Sequence, residues 1–388
     1  MALEGVLDGD VVRVGADARQ RFHDARGYGY PLSGNEIALS PVEAAHLLYT
    51  DNLTGIRVED DEASALDFRA FVAREPGTNF AVRYLVYADL RSRGLYLSPA
   101  REPWISPERF DDVTDRTDFA VYPRGQGPGD GDLAYALRVV GERTDVAASD
   151  LDPGVLAVVD EESEPTYFEL AAPSIEGDSA RVAERGPGVA DAAPADADAA
   201  GIEQVGTEPA DADLLTDRVI VWNPPEALYE RTFFGQPLDG REYDGDRPAI
   251  QCSLLEATYL ARLGAIDLDP RDVADRGLAV EGDRFARRRR VYRTLRERGV
   301  VPKTGYKFGA DFRTYADVES VDDLGHSAHL IRVVPSSHVF EPRDLSLDVR
   351  LAHGVRKTLV VAIVADEPAH PDDPGEGITW RSIERLTP

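Results

Sequence analysis

The chain has 388 residues, 43% of them hydrophobic, a length and composition that predict two or more domains with sizeable cores. Its single cysteine, Cys252, excludes a disulfide framework and a cysteine-based zinc cluster. The formal net charge of −28 is spread along the chain and lysine is nearly absent, which is typical of a halophilic protein in a salt-rich cytoplasm.

The N-terminal half is predicted to begin with a strand at Val11–Val14 that leads into a helix. A second helix follows at Ser40–Thr50, where Ser40 and the glutamate at its third position form a capping-box pattern. A third helical region covers Leu66–Arg93. The later runs AYALRVV, VLAVV and TYFEL are predicted strands, with an acidic turn between the last two.

Residues 173–216 are rich in Ala, Asp, Pro and Gly and cannot bury much apolar surface, so we expect a flexible acidic linker. After it, a strand at Val219–Trp222 leads into a helix, and further helices are predicted at Ser253–Leu263 and Phe285–Arg298. The runs AHLIRVV and LVVAIV are predicted strands, and one more helix between them covers Leu347–Lys357.

The two halves repeat each other in sequence. Five segments match in the same order: GYPL with GQPL, LSPVEAAHLLY with CSLLEATYLAR, VYADLRSRG with VYRTLRERG, DFAVY with DFRTY, and RVV with RVV. We therefore predict a tandem duplication of a mixed α/β (α+β) unit, each copy with an N-terminal subdomain and a C-terminal nuclease-like subdomain. The predicted boundaries are 1–172 for the first repeat, 173–216 for the linker and 217–388 for the second repeat, divided into 217–300 and 301–388.

Only three lysines stand beside 40 arginines (43 basic residues minus 3), and all three fall between positions 303 and 357. The same region carries GYKFGADFRTY, HSAHLIRVV and VRLAHGVRKTLVVAIV. In this order the motifs resemble the archaeal tRNA-splicing endonuclease family, in its two-repeat homodimeric, haloarchaeal form. The resemblance implies a triad of Tyr315, His326 and Lys357 that cuts precursor tRNA at bulge-helix-bulge sites, with no metal or cofactor. The implied products carry a 2',3'-cyclic phosphate and a 5'-hydroxyl.

These residue types suit RNA cleavage. Histidine, with an unperturbed pKa of about 6.5, is an effective acid for the leaving 5'-oxygen, and a lysine ammonium stabilises charge on the phosphorane. An unperturbed phenol, at about 10, is a poor base, so the tyrosine either removes the 2'-proton or only orients the substrate. Structural roles stay open beside these: Tyr315 as a core-edge aromatic, His326 as a strand cap, and Lys357 as a helix C-terminal cation.

Arginines are the predicted contacts to RNA. The resemblance implies a pair that stacks on an unpaired bulge base, Arg350 with either Arg381 or Arg385, and surface ion pairs are the alternative. Helical spacing in Leu347–Lys357 places Arg350 on the same face as the triad lysine. The apolar residues of that helix share another face: Leu347, Leu351 and Val355. Eight arginines within 284–298 form either a phosphate-binding patch or a solvated helix.

The N-terminal repeat keeps Tyr122 but has no lysine, and Asp132 or Leu133 stands where the triad histidine would be. We therefore expect it to be a catalytically silent structural partner. The resemblance implies that its acidic loop docks on a second copy of the chain in a homodimer, and a solvated turn is the alternative. The loop residues are Asp160, Glu161, Glu162 and Glu164. The final strands of the two repeats are expected to pair and cover each other's edges.

Two other functions stay open. One is a non-catalytic RNA-binding or assembly protein that keeps the fold. The other is a metal-dependent nuclease that uses four histidines: His326, His329, His338 and His353. The sequence HSAH leads into a strand, where residues three apart point to opposite faces, so the metal site is the weaker hypothesis. Because the sequence has no basic and apolar leader and no long apolar run, we expect a cytoplasmic protein that does not cross a membrane.

Overall fold

The computed structural model describes residues 3–58, 65–74, 79–105, 113–129, 132–182, 202–203, 208–238, 248–366 and 375–388. Within these ranges the protein consists of two halves of related architecture. Each half begins with a small mixed or antiparallel sheet and then contributes five strands to one shared ten-stranded sheet. The mixed α/β class that the sequence predicts is confirmed.

The first sheet of the N-terminal half has five strands: β1 Leu3–Asp8, β2 Val11–Val14, β3 Tyr30–Pro31, β4 Ile37–Leu39 and β5 Leu53–Val58. They lie in the order β3-β4-β2-β1-β5, and a single helical turn at Arg19–Asp24 follows β2. Three helices belong to this half: α1 Pro41–Tyr49, α2 Phe68–Arg74 and α3 Phe80–Ser92. The predicted helical region 66–93 therefore holds two helices, and its residues 75–78 lie outside the described residues.

The second part of the N-terminal half is formed by six strands: β6 Leu97–Pro99, β7 Phe119–Val121, β8 Tyr135–Gly141, β9 Val146–Ala147, β10 Gly154–Val159 and β11 Pro165–Ala171. The acidic turn predicted between VLAVV and TYFEL connects β10 to β11. Beyond it, two short strands pair in parallel: β12 Arg181–Val182 and β13 Ile202–Glu203.

The C-terminal half starts with a four-stranded sheet of β14 Ala212–Leu214, β15 Arg218–Trp222, β16 Gln236–Pro237 and β17 Ala249–Ser253. Its helices are α4 Glu226–Glu230, α5 Leu254–Arg262, α6 Pro270–Glu281 and α7 Asp283–Glu297. The remaining elements are β18 Val301–Thr304, β19 Phe312–Tyr315, β20 His329–Pro335, β21 Val339–Phe340, α8 Pro342–Gly354, β22 Thr358–Val364 and β23 Ile378–Leu386. Helix α6, which Asp269 caps at its N-terminus, was not predicted from the sequence.

The predicted capping boxes are confirmed in both halves. Ser40 accepts a hydrogen bond from the Glu43 backbone at the start of α1, and the Glu43 carboxylate accepts one from the Ser40 backbone. Ser253 and Glu256 repeat this exchange at the start of α5. The equivalent carboxylates are buried, so each helix start is fixed inside its half.

The two halves meet in one continuous sheet, in which the five strands of each half lie in corresponding order on either side of the centre. The strand order is β18-β19-β20-β22-β23-β11-β10-β8-β7-β6, with β23 antiparallel to β11 at the centre. The predicted pairing of the final strands VLAVV and LVVAIV is wrong: these are β10 and β22, and the strands that meet are the next ones along the chain, β11 and β23. Strands β9 and β21, which hold equivalent places in the two halves, also pair with each other. Side chains from both halves then form one common core, including Leu156, Phe168, Leu345 and Ile383.

Helix α8 ends earlier than the sequence predicts. It closes at Gly354, and Arg356 follows at a φ of 57°, so Lys357 is not on a helix face and is not a helix C-terminal residue. The predicted apolar face is also wrong, since its residues are the exposed ones: Leu347, Leu351 and Val355. The residues of α8 that face the core are Pro342, Leu345, Val349 and Ala352. The helix packs on β22 and β23 through the face that the periodicity argument overlooked.

The predicted linker, 173–216, is only partly within the described residues, because 183–201 and 204–207 lie outside them. At its start, the Gly177 backbone donates to the Arg298 carbonyl at 3.0 Å. At its end, β14 pairs with β15. The domain boundaries stay a prediction, although both described ends of this segment contact the C-terminal half. In the ranges that the structure describes, no helix combines the length and apolarity needed to cross a membrane.

Candidate active site

One edge of the ten-stranded sheet brings the three predicted triad positions onto neighbouring strands. Strand β19 runs antiparallel to β20, so its last residue, Tyr315, lies beside the segment that precedes β20. Strand β20 runs parallel to β22, so the residue before β22, Lys357, lies at the same edge. The Ala328 backbone links them: its N–H donates to Thr314 at 3.0 Å, and its carbonyl accepts from Thr358 at 3.1 Å. Neighbouring strands are about 4.8 Å apart, so the row spans about 10 Å from Tyr315 to Lys357.

Lys357 is anchored to the segment that carries the candidate histidine. Its Nζ donates a hydrogen bond of 3.0 Å to the Ser327 carbonyl oxygen, one residue after His326. Burial lowers the pKa of the Lys357 ammonium, and the nearby Arg313 guanidinium lowers it further. An ammonium has three N–H donors, so two remain for another acceptor.

Tyr315 is held between an aromatic ring and a guanidinium. Its ring centre lies 6.1 Å from that of Phe233 in an edge-to-face arrangement, and the Arg313 guanidinium carbon lies 5.6 Å from the ring centre. Only 7% of Tyr315 is exposed. Phe233 comes from the loop after α4 and has a φ of 51°. Its carbonyl accepts from Lys303 at 3.2 Å, which ties this loop to β18.

The two histidines of HSAH differ in exposure. His326 is exposed, whereas His329 at the start of β20 is partly buried and its Nδ1 lies 3.3 Å from the Thr314 hydroxyl. Burial lowers the pKa of His329. The buried residue between them is Ser327, whose carbonyl holds Lys357. His326 is thus the imidazole of this pair that a substrate at the sheet edge can reach.

The other two histidines lie elsewhere. His338 packs on Phe340, 4.4 Å between ring centres, and His353 lines a cavity beside α8. Across the described parts of the chain, no three or more His, Cys, Asp or Glu side chains are grouped so that they could hold a metal ion.

The equivalent edge of the N-terminal half carries different side chains. Ala134 donates to Val121 as Ala328 does to Thr314, which makes Tyr122 the counterpart of Tyr315. The same register makes Asp132 the counterpart of His326. The pairing of Val155 with Leu137 makes Asp152 the counterpart of Lys357. The imidazole and the ammonium are thus replaced by two carboxylates, one of which, Asp152, lies 3.5 Å from Arg116.

The predicted base-stacking arginines separate into two groups. Arg350 and Arg385 line one cavity of about 490 Å³ between α8 and the central strands, together with Thr166 and Phe168 of the N-terminal half. Arg381 does not line this cavity: its Nε donates to the Leu151 carbonyl at 2.7 Å and its guanidinium also donates to the Trp380 carbonyl. Arg350 and Arg385 therefore remain a predicted pair, and Arg381 joins the two halves.

The arginine-rich helix α7 partly serves the interior. Arg284 and Arg288 both contact the buried Asp311, and Arg296 donates to the Thr232 carbonyl. A second set of α7 arginines lines a groove of about 620 Å³ between α5, α6 and α7. Together with one arginine from α5 and one from α6, five arginines lie in the walls of this groove. They are Arg262, Arg271, Arg289, Arg290 and Arg293. Neither predicted use, a phosphate patch or a solvated face, describes the first set.

The buried pair of Lys303 and Glu256 was missed by sequence reasoning. Lys303 Nζ donates to the Glu256 carboxylate at 2.8 Å, and both side chains are about nine-tenths buried. Burial by itself would raise the pKa of Glu256, but the adjacent ammonium and the hydrogen bonds lower it to about 2. The rarity of lysine was the available signal, but the partner lies 47 residues away.

Comparison with known proteins gives full-length matches. A family described as tRNA intron endonuclease, catalytic C-terminal domain, matches residues 285–371, and its N-terminal domain matches twice, at 3–72 and 210–276. The predicted duplication is thereby confirmed. Proteins called tRNA-splicing endonuclease from Haloarcula marismortui and Haloferax volcanii are each 48% identical, over 100% of both chains. One of the same name from Methanococcoides burtonii is 32% identical over 97% of both chains. The haloarchaeal relatives confirm the prediction of a halophilic protein.

Proposed function

The chain belongs to the tRNA intron endonuclease family and is an RNA endonuclease, and from that premise we propose that it excises introns from precursor tRNA at bulge-helix-bulge sites without a metal ion. Tyr315, His326 and Lys357 are the proposed reacting groups. The observation that carries this proposal is the hydrogen-bonded row at the sheet edge, where Lys357 is anchored to the residue that follows His326.

The proposed reaction is an intramolecular transesterification. The 2'-oxygen forms a bond to the adjacent phosphorus while the bond from phosphorus to the 5'-oxygen breaks. The proton of the 2'-hydroxyl passes to a base, the role proposed for Tyr315 in its ionised form, and the His326 imidazolium donates a proton to the departing 5'-oxygen. The electron pair of the broken bond stays on that oxygen, so the products are a 2',3'-cyclic phosphate and a 5'-hydroxyl. If Tyr315 only orients the substrate, solvent takes the first proton.

Lys357 is suited to stabilise the phosphorane. One N–H of its ammonium donates to the Ser327 carbonyl, and this hydrogen bond restricts the rotation of the ammonium. The other two N–H groups therefore point in fixed directions. Pre-organised positive charge of this kind acts where negative charge develops and does not reorganise during the reaction. The silent half has Asp152 at this position, and a carboxylate there would repel the same phosphate.

We propose further that two copies of the chain form the working particle. The turn of Asp160, Glu161, Glu162 and Glu164 connects β10 to β11, and the Asp160 carboxylate accepts from the backbone N–H groups of Glu162 and Glu164. Its negative charge complements the five arginines of the groove between α5, α6 and α7. Docking the turn of one copy in the groove of the other would place two active edges on one two-fold particle.

The dimer is tested by sedimentation in molar KCl. Wild type should sediment as a dimer, while replacing the four acidic turn residues with Ser should give monomers with an unchanged circular-dichroism spectrum. A matched variant in which four acids beside the first sheet of the N-terminal half are replaced with Ser should remain a dimer; they are Asp8, Asp10, Asp17 and Asp24. A dimeric turn variant would contradict the docking.

Cleavage is tested with one bulge-helix-bulge RNA, cut in EDTA by wild type, Lys357→Ala and His326→Ala, followed by end-group analysis. We expect wild type to give cyclic-phosphate and 5'-hydroxyl ends and both variants to bind RNA with little cutting. Cleavage only after added metal would favour the metal-dependent alternative. RNA binding without any cut by wild type in molar KCl would instead identify a non-catalytic RNA-binding or assembly protein.

A further inference from the structure

Arg313 is a partly buried cation without a counter-ion. Among the residues that the structure describes, no carboxylate lies within 4.0 Å of its guanidinium and none of its nitrogens makes a hydrogen bond. Its Nε is buried as well as unpartnered. In a chain of net charge −28, with 71 acidic residues, partners for an arginine are plentiful. A buried donor that lacks an acceptor is costly unless a ligand satisfies it.

A second cation lies close to this one. The Arg313 guanidinium contributes to the lowered pKa of the Lys357 ammonium, which means that the two positive charges repel each other. Lys357 also has no carboxylate partner in the described residues, where its ammonium donates to the neutral Ser327 carbonyl. Two like charges that are held together without a counter-ion form a site for an anion.

The position of Arg313 is fixed by the sheet. It lies two residues before Tyr315 on β19, so both side chains leave the same face of the strand. Its guanidinium carbon is 5.6 Å from the Tyr315 ring centre, within the usual range for a cation over an aromatic face. Its cross-strand partner on β18 is Lys303, which pairs with the Glu256 carboxylate.

The silent half has lost this site as well. The register of β6 with β7 places Ala120 where Arg313 stands, and Ala120 is fully buried. Asp152 occupies the place of the lysine. Both members of the cation pair are therefore absent from the half that lacks the histidine, while the tyrosine beside them is kept as Tyr122.

We propose that Arg313 binds a non-bridging oxygen of the scissile phosphate and, with Lys357, neutralises the two negative charges of the phosphorane. The inference rests on the proposed function, since it assigns a fourth residue to the same reaction. A guanidinium presents a fork of N–H donors that matches phosphate oxygens, whereas an ammonium is a point charge, so the two cations would hold different oxygens. No covalent bond to Arg313 forms or breaks.

The test uses bulge-helix-bulge RNA with a single phosphorothioate at the cut, in each of its two diastereomers, under single-turnover conditions at saturating enzyme. Sulfur accepts hydrogen bonds more weakly than oxygen. We expect Arg313→Gln to cut the all-oxygen RNA about 100-fold more slowly than wild type. Sulfur in one of the two diastereomers should lower the cleavage rate of wild type. The same sulfur should not lower the rate of Arg313→Gln further, because that variant already lacks the guanidinium contact to this position.

Two other variants separate this role from a structural one. Arg313→Lys should recover part of the rate and part of the sulfur effect, since it keeps the charge without the fork, and it provides the readout if the glutamine variant does not fold. The matched control is Arg91→Gln, which removes a guanidinium stacked 3.9 Å over Tyr28 in the silent half and should leave rate and sulfur effects at wild-type values.

The outcomes distinguish this inference from the function on which it rests. If wild type cuts the RNA and His326→Ala does not, yet Arg313→Gln has the wild-type rate, Arg313 is not a phosphate contact. The same conclusion follows if Arg313→Gln is slow but both diastereomers slow it as much as they slow wild type. If wild type leaves the RNA uncut, the proposed function itself is wrong.

Discussion

The two halves of the chain place a buried glutamate at the same point and satisfy it in different ways. Glu43 and Glu256 each close a capping box and each accept from the backbone of a glycine in the left-handed region, Gly29 or Gly235. In the N-terminal half the further donor is the neutral Trp104 indole at 3.1 Å. In the C-terminal half it is the Lys303 ammonium.

The consequence is opposite ionisation behaviour at equivalent sites. Burial raises the pKa of Glu43, since its hydrogen bonds do not offset the lost solvation. The same burial acts on Glu256, but the Lys303 charge and hydrogen bond reverse its effect. The register places Ser98 where Lys303 stands, so the N-terminal half has no cation at this place on β6. The two halves thus share the backbone geometry around this glutamate but differ in the charge of its further hydrogen-bond donor.

The largest effect is expected when the Lys303 cation is removed from the C-terminal half. Lys303→Met leaves the Glu256 carboxylate buried and unpaired, so we expect a loss of about 3–5 kcal/mol in unfolding free energy, measured by thermal or urea unfolding in molar KCl. The counterpart in the N-terminal half, Trp104→Phe, removes one neutral hydrogen bond and part of a buried ring, and should cost about 2 kcal/mol. The double variant Lys303→Met, Glu256→Gln should recover part of the larger loss. Equal losses in the two halves would contradict the difference drawn here.

The second test concerns the sheet edge and affects activity. Lys357→Ala removes the anchored charge and should lower single-turnover cleavage about 100- to 1,000-fold with RNA affinity nearly unchanged. The counterpart in the N-terminal half, Asp152→Ala, should leave the cleavage rate within experimental error, because that edge is not expected to contact a reacting phosphate. A comparable fall in both variants would mean that the two edges act together.

The third test is acid titration of stability. The pKa of Glu256 falls from 4.5 to about 2 on folding, so its contribution is fully present above pH 4.5 and is lost as the pH falls towards 2. At about 1.4 kcal/mol per pH unit this is roughly 3 kcal/mol. The pKa of Glu43 is raised, so its contribution is present below pH 4.5 and is lost as the pH rises.

Unfolding free energy measured from pH 2 to pH 7 should therefore respond in opposite ways to the two glutamine variants. Glu256→Gln should flatten the rise in stability between pH 2 and pH 4.5. Glu43→Gln should remove a contribution that declines above pH 4.5, so its stability should rise relative to wild type in that interval. Changes of the same sign in both variants would overturn the assignment of charge states.

Local patterns were predictable from sequence and long-range partners were not. The capping boxes at Ser40 and Ser253 were found because donor and acceptor lie three residues apart. Helix α8 was misjudged because apolar residues keep a helical period up to Val355 although they face solvent. A period cannot tell which of two apolar faces packs on the sheet, or that Arg356 adopts a left-handed conformation that ends the helix.

The site shows the same division. The motifs of the site were found in the sequence, and the resemblance implied the triad. The row of hydrogen bonds that joins Tyr315 to Lys357 could not be predicted, because it depends on one antiparallel and one parallel strand pairing. The motif DFRTY contains Arg313, but the sequence predicts no role for it, because its lack of a carboxylate partner is a property of the folded chain. The Lys303 pair was missed for the same reason.

The antiparallel contact of β11 with β23 has a consequence for how the molecule behaves on dilution. Two separate chains that met through such strands would dissociate at low concentration, whereas here the meeting is between parts of one polypeptide and its equilibrium does not depend on protein concentration. Every molecule thus holds the two halves in a fixed one-to-one ratio, because both belong to one polypeptide. A cell that makes this protein has no need to match the supply of two subunits.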